Sequence, residues 1–124
     1  MKTKESFSIR ARGNSFNYAF DGMKDFFKGE HNAWLHLLGT IAVIALAIIF
    51  PVSRVELISL ILAIGFVWMA ELFNTAIEKI MDFISEEKHP KIKFIKDLSA
   101  AAVLIAAIAA LIIGCIVFIP KIVI

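Results

Sequence analysis

Cysteine is almost missing from this chain of 124 residues: Cys115 stands alone, inside an apolar run. An internal disulfide is thereby excluded, and so is a thiolate metal cage. The histidines do not supply a substitute, because His31, His36 and His89 share no H-x-x-x-H or Cys/His spacing. A secretory signal is missing too. The first 30 residues are too polar for one and lack a small-residue cleavage site, so the chain is expected to remain unprocessed. Basic residues are scarce in one set of connections: of the 13 Lys and Arg, only Arg54 and Lys121 fall outside the N-terminal segment and the stretch from Lys79 to Lys96.

What is present is apolar. Hydrophobic residues make up 60% of the chain, more than a soluble domain of this size can bury. Three segments, 31–52, 55–83 and 94–120, reach the roughly 20 residues that a crossing helix needs. The chain is therefore expected to be one all-α integral membrane domain with three transmembrane helices. By the positive-inside rule, the N-terminus and the 84–95 loop are expected to be cytoplasmic. Acidic residues are interleaved with basic ones and the net charge is only +2, so nucleic-acid binding gains no support.

Before the first span, Phe16, Phe20, Met23 and Phe27 recur at helical spacing, with Asn14, Asn17, Asp21, Lys24 and Asp25 between them. This pattern predicts an N-terminal amphipathic surface helix within residues 1–30, lying in the interface or packed on the end of the bundle. Gly29 marks its end. Pro51 to Arg54 allow only a tight antiparallel turn, and Pro90 interrupts the polar 84–95 connection. Small residues from Ser99 to Ala102 and from Ala106 to Ala110 would let a neighbouring helix approach closely. Three short helices enclose little volume, which favours a homo-oligomer.

The chemistry is concentrated in one stripe. Glu71, Asn74, Glu78 and Asp82 fall on one helical face directly after an uncharged stretch. Ionisable groups in such a position are costly, face protein interiors and are functional by default. Glu30, His31 and Asn32 open the first span, and Lys96 and Asp97 precede the third. Carboxylates facing lysines suit a magnesium–nucleotide complex, since Mg²⁺ takes one or two carboxylates and completes its shell with phosphate and water. A deeper carboxylate, Glu71, could then take the proton of a hydroxyl delivered from the bilayer. No G-x-x-x-x-G-K-[ST], glycine-rich loop, H-R-D or D-F-G set is present, so helical side chains would have to build any phosphate site. At this level other readings stay open. The stripe could line a seam in a non-enzymatic scaffold or conducting oligomer, Asp82 and Asp97 could pair with Lys79 or Lys96, and His36 could be an interhelical hydrogen bonder.

The blocks Glu71, Asn74, Thr75, Ala76, Ile77, Glu78 and Lys96, Asp97, Ala101, Ala102, Val103, Leu104, with Asp82 and Glu87 to His89, resemble the bacterial membrane-integral diacylglycerol kinase/undecaprenol kinase family. The resemblance spans about residues 10–121. It implies a homotrimer in the bacterial inner membrane that transfers the γ-phosphate of ATP to a lipid hydroxyl with Mg²⁺. It implies Glu71 as catalytic base with Asn74 beside it, and Glu30 and Glu78 as metal ligands. Tyr18, Glu87, Lys88, His89, Lys96 and Asp97 would contact nucleotide together with Glu30 and Glu78, and Asn32, His36 and Glu71 would face the lipid. Two positions depart from the family: Ala11, between Arg10 and Arg12, replaces a basic residue, and Ala100 stands where some relatives carry serine. The E-x-N-x-x-x-H run from Glu30 to His36, with Ser53 to Glu56 and Ile119 to Lys121, is similar to the undecaprenol kinases of the Gram-positive type. Undecaprenol is thus the expected acceptor, and diacylglycerol the alternative.

Overall fold

A computed structural model describes residues 7–123. All regular structure among them is helical: α1 (Ile9–Gly29), α2 (His31–Ile49), α3 (Arg54–Ile84) and α4 (Pro90–Val123). At 1.5 Å per residue, α2 is about 28 Å long, close to the hydrocarbon thickness, whereas α3 and α4 run to roughly 45–50 Å. The last three are long and apolar enough to cross a membrane. The surplus length of α3 and α4 carries the polar residues from Glu78 to Asp82 and from Lys91 to Asp97.

The chain divides into two compact units, Met1–Leu35 and His36–Ile124. In the first, Ser8 caps α1 in an extended conformation, its Oγ accepting from the Ala11 N–H at 3.3 Å. The helix stops because Glu30 turns extended, at φ −122° and ψ 118°. Its N–H still donates to the Phe26 carbonyl, and its own carbonyl accepts from Ala33 N–H. The break falls where Gly29 marks it, and since no glycine among the described residues adopts positive φ, the bend itself is carried by the backbone of Glu30. Trp34 pins the turn, its indole Nε1 donating to the Phe27 carbonyl at 3.1 Å while its ring meets the Phe27 ring edge-on at 5.3 Å. Of the apolar stripe, Met23 and Phe27 are half-buried and Phe16 and Phe20 exposed.

In the second unit α3 and α4 pack antiparallel along most of their length. Leu60, Val117 and Phe118 form the core near the 50–53 turn, with Val43, Leu46, Phe50 and Ile113 against them. That end is closed by polar chemistry as well. Ser53 and Glu56 form a reciprocal capping box, and the second oxygen of Glu56 accepts from Lys121 Nζ at 2.8 Å.

Two boundaries differ from the sequence expectation of 94–120 for the third span. The helix α4 starts at Pro90, because a proline in the first turn gives up an N–H that has no intrahelical partner anyway. His89 supports that start: its carbonyl accepts from Lys93 N–H and its Nδ1 from Lys91 N–H. At the other end α4 passes through Pro120 to Val123, where the Lys121–Glu56 pair holds the last turn against α3. Ser53→Ala is expected to lower stability by about 1 kcal/mol, the usual worth of an N-cap. Glu56→Ala should cost more than Ser53→Ala because it removes the box and the α4 tether together. Thermal unfolding of the purified protein in detergent micelles measures both.

Candidate active site

Glu71 is the most buried polar residue among those described, only 4% exposed, although it sits on an apolar helix. Its Oε2 lies 3.3 Å from His36 Nε2 on α2. One turn earlier on α3, Trp68 Nε1 donates to Thr40 Oγ1 at 2.9 Å, and Thr40 donates in turn to the His36 carbonyl at 2.8 Å. The His36 ring tilts against Trp68 with centroids 6.1 Å apart. Two turns of α2 and two of α3 are thus joined by polar groups around a buried carboxylate. The sequence pattern singles out neither Thr40 nor Trp68 for this role.

The next turn of α3 addresses α4. Asn74 Oδ1 accepts from Ser99 Oγ at 2.7 Å, and Asn74 Nδ2 reaches Glu78 Oε1 at 3.5 Å. Ser99 is buried, and it was not among the expected site residues. The hydroxyl sits one position before Ala100, the place where some relatives carry serine. Further along, Asp82 and Lys96 form an ion pair of 2.6 Å, and Asp97 is paired with Lys93 one turn away on α4. Both pairs are largely solvent-exposed, so each adds little to stability. They set these lysines beside the carboxylates and leave them open to exchange for a charged ligand.

Beyond these pairs lies a pocket of about 580 Å³ formed by the 85–89 connection and the first turns of α4. Its walls include Glu87, Lys88, His89, Lys96 and Asp97, all five of the residues expected there to meet nucleotide. Glu86 and Lys93 also line it and were not expected. The connection is shaped by local bonds: Ser85 Oγ accepts from Glu87 N–H, and the capping role of His89 Nδ1 leaves Nε2 for a ligand. The remaining candidates lie in the first unit. Tyr18 is exposed on α1, Glu30 is half-buried in the extended link, and Asn32 is exposed in the first turn of α2.

The donor chemistry fits a magnesium ion accompanied by phosphates. Glu78 offers a half-buried carboxylate with Asn74 beside it. No three His, Cys, Asp or Glu side chains converge into a closed cage among the described residues. Mg²⁺ is commonly held by one or two carboxylates, with phosphate and water filling the other positions.

Comparison with known proteins finds relatives over most of the chain. The model of the prokaryotic diacylglycerol kinase family matches residues 17–118. Undecaprenol kinase of Bacillus subtilis is 36% identical over 107 residues, covering 86% of this chain and 87% of that protein. A diacylglycerol kinase of Synechocystis is 37% identical over 101 residues, covering 81% of this chain and 58% of the longer relative. A diacylglycerol kinase of Pseudomonas aeruginosa is 33% identical over 93 residues, covering 75% and 76%. Three helices long and apolar enough to cross a membrane define an integral membrane protein. The chain belongs to the prokaryotic diacylglycerol kinase family, and as such it is a lipid kinase.

Removal of the Trp68–Thr40 hydrogen bond by Thr40→Val is expected to cost about 0.6 kcal/mol, the typical value for an interhelical bond in a membrane protein. Trp68→Phe removes the same bond, so the double variant should lose less than the sum of the two. Unfolding in micelles, followed for the wild type and the three variants, tests this coupling.

Proposed function

We propose that the protein transfers the γ-phosphoryl group of ATP to the hydroxyl of undecaprenol at the membrane surface. The observation that carries this reading is the buried carboxylate of Glu71 within an apolar span, with Asn74 and Glu78 following it on the same face towards a polar pocket. The relationship to the Bacillus subtilis undecaprenol kinase supports the choice of acceptor. The diacylglycerol kinases among the relatives support diacylglycerol as a second reading, with the same chemistry.

In this reading ATP occupies the pocket, with Lys96 and Lys88 against its phosphates and His89 and Glu87 towards its nucleoside. Lys96 exchanges Asp82 for phosphate oxygen. Glu78 would hold Mg²⁺ with Asn74 adjacent, and the family resemblance alone assigns Glu30 as a carboxylate ligand. Charge neutralisation on the transferring phosphate is what the ion supplies when bound. The lipid hydroxyl, brought in from the inner leaflet beside His36, loses its proton to Glu71. Its oxygen forms the new bond to the γ-phosphorus as the bond to the departing ADP breaks. Positioning and electrostatics account for most of the catalysis, since phosphoryl transfer asks little covalent chemistry of the protein.

The same reading places α1 in the membrane interface, the N-terminus and the 84–95 connection in the cytoplasm of a bacterial cell, and three copies of the chain in the working enzyme. The exposed alanines of α4, among them Ala101, Ala102 and Ala109, suit a close helix–helix approach between copies.

Purified protein in mixed micelles is expected to phosphorylate undecaprenol faster than a long-chain diacylglycerol, and only with Mg²⁺. Glu71→Gln should lower kcat by at least about 100-fold, the lower bound for a general base, with an unchanged oligomer mass. Glu78→Gln should raise the Mg²⁺ concentration needed for half-maximal rate. Faster turnover of diacylglycerol would keep the chemistry and replace the acceptor. An active Glu71→Gln variant would remove Glu71 from its role, and a folded wild type inactive on both lipids would return the chain to a scaffold reading.

A further inference from the structure

In the sequence Ser99 is marked only as the first of a run of small residues. It is 8% exposed, faces α3 from the third turn of α4, and donates its hydroxyl to Asn74 Oδ1 at 2.7 Å. The Lys96 carbonyl lies 2.9 Å from the same Oγ. A serine hydroxyl has a single proton, and the shorter contact is the one to Asn74. A carboxamide has one accepting and one donating end. With Oδ1 engaged by Ser99, the Nδ2 end is the one turned to Glu78, 3.5 Å away. Freed from Ser99, the amide could turn over and present an oxygen to the Glu78 carboxylate, an unfavourable meeting of two acceptors.

The position of Ser99 on α4 adds a second consequence. It lies one turn after Lys96, whose side chain lines the pocket and pairs with Asp82. The Ser99–Asn74 bond therefore sets the register of the lysine-bearing start of α4 against the Asn74–Glu78 face of α3. The small Ala100, Ala101 and Ala102 that follow have no polar side-chain atoms with which to take over this task.

We propose that Ser99 is a positioning residue: its hydroxyl fixes the Asn74 carboxamide so that the amide donor supports Glu78, and it holds Lys96 in register with that carboxylate. This rests on the reading of Glu78 as a magnesium–nucleotide ligand. Groups that orient a metal-binding carboxylate through a hydrogen bond commonly matter tenfold or more to affinity, and Ser99 acts on Glu78 through one such group, Asn74.

The test is calorimetric binding of Mg²⁺ with a non-hydrolysable ATP analogue to the intact oligomer, alongside steady-state kinetics on the lipid alcohol. Ser99→Ala, a substitution an alanine-rich helix accommodates, should weaken analogue binding about tenfold. It should raise KM for Mg²⁺–ATP similarly and leave KM for the lipid unchanged. Ser99→Thr keeps a hydroxyl and should return binding to within about threefold of wild type. In an Asn74→Ala background, Ser99→Ala should add no further loss, because the two act as one unit. Wild-type binding by Ser99→Ala would overturn the proposal. So would failure of Ser99→Thr to restore it, or additive losses with Asn74→Ala. A wild-type protein that binds no magnesium–nucleotide at all would instead overturn the reading of the site itself.

Discussion

A carboxylate set into an apolar helix has no water to solvate it, and Glu71 imposes that condition on the rest of the molecule. Burying such a group without partners costs several kcal/mol, so neighbouring elements must bring polar atoms to it. The helix α2 does so with His36, and the hydrogen-bonded run from Trp68 through Thr40 to the His36 carbonyl keeps that stretch of α2 in place. Within a bilayer, apolar side chains give helices little reason to prefer each other over lipid. Packing and polar contacts then decide which faces meet. The polar contacts here are concentrated where the chemistry is proposed to be, so one set of groups both holds the second unit together and furnishes its site.

The helix α3 reads as a ladder of tasks along one face. Near the 50–53 turn it is tied to α4 by the Glu56–Lys121 pair and the Leu60 core. At its middle it faces α2 through Trp68 and Glu71, and a turn later it faces α4 through Asn74. At its far end Asp82 engages Lys96 beside the pocket. A hydroxyl acceptor from lipid and a phosphate donor from water need to meet at the boundary between two media. A helix that runs from hydrocarbon into the polar region can offer a buried base and exposed ion pairs within a few turns.

Much of this was legible in the residues. Long uncharged runs bounded by polar connections identify the three spans, and helical periodicity groups Glu71, Asn74 and Glu78. The three places where reading and structure part share one physical cause, since each depends on a partner distant in sequence or on position within a helix. Pro90 looks like a stop, yet in the first turn a proline costs nothing, and His89 caps the helix it begins. Pro120 looks like an end, yet α4 continues because Lys121 has Glu56 to reach. Thr40, Trp68 and Ser99 look like packing residues, and only the juxtaposition of helices shows their hydrogen bonds. For Asp82 the residues left several ion pairs open, and the structure selects Lys96.

In the proposed reaction a base shielded within the membrane takes the proton of a lipid hydroxyl, so that the γ-phosphoryl group of ATP passes to lipid rather than to water. The direct measurement is the fate of the label when γ-labelled ATP is turned over by the purified protein with undecaprenol in mixed micelles. The account predicts that the label enters the organic phase as a phosphomonoester of the lipid, in step with ADP formation. Label recovered only as inorganic phosphate, with the lipid unmodified, would contradict it.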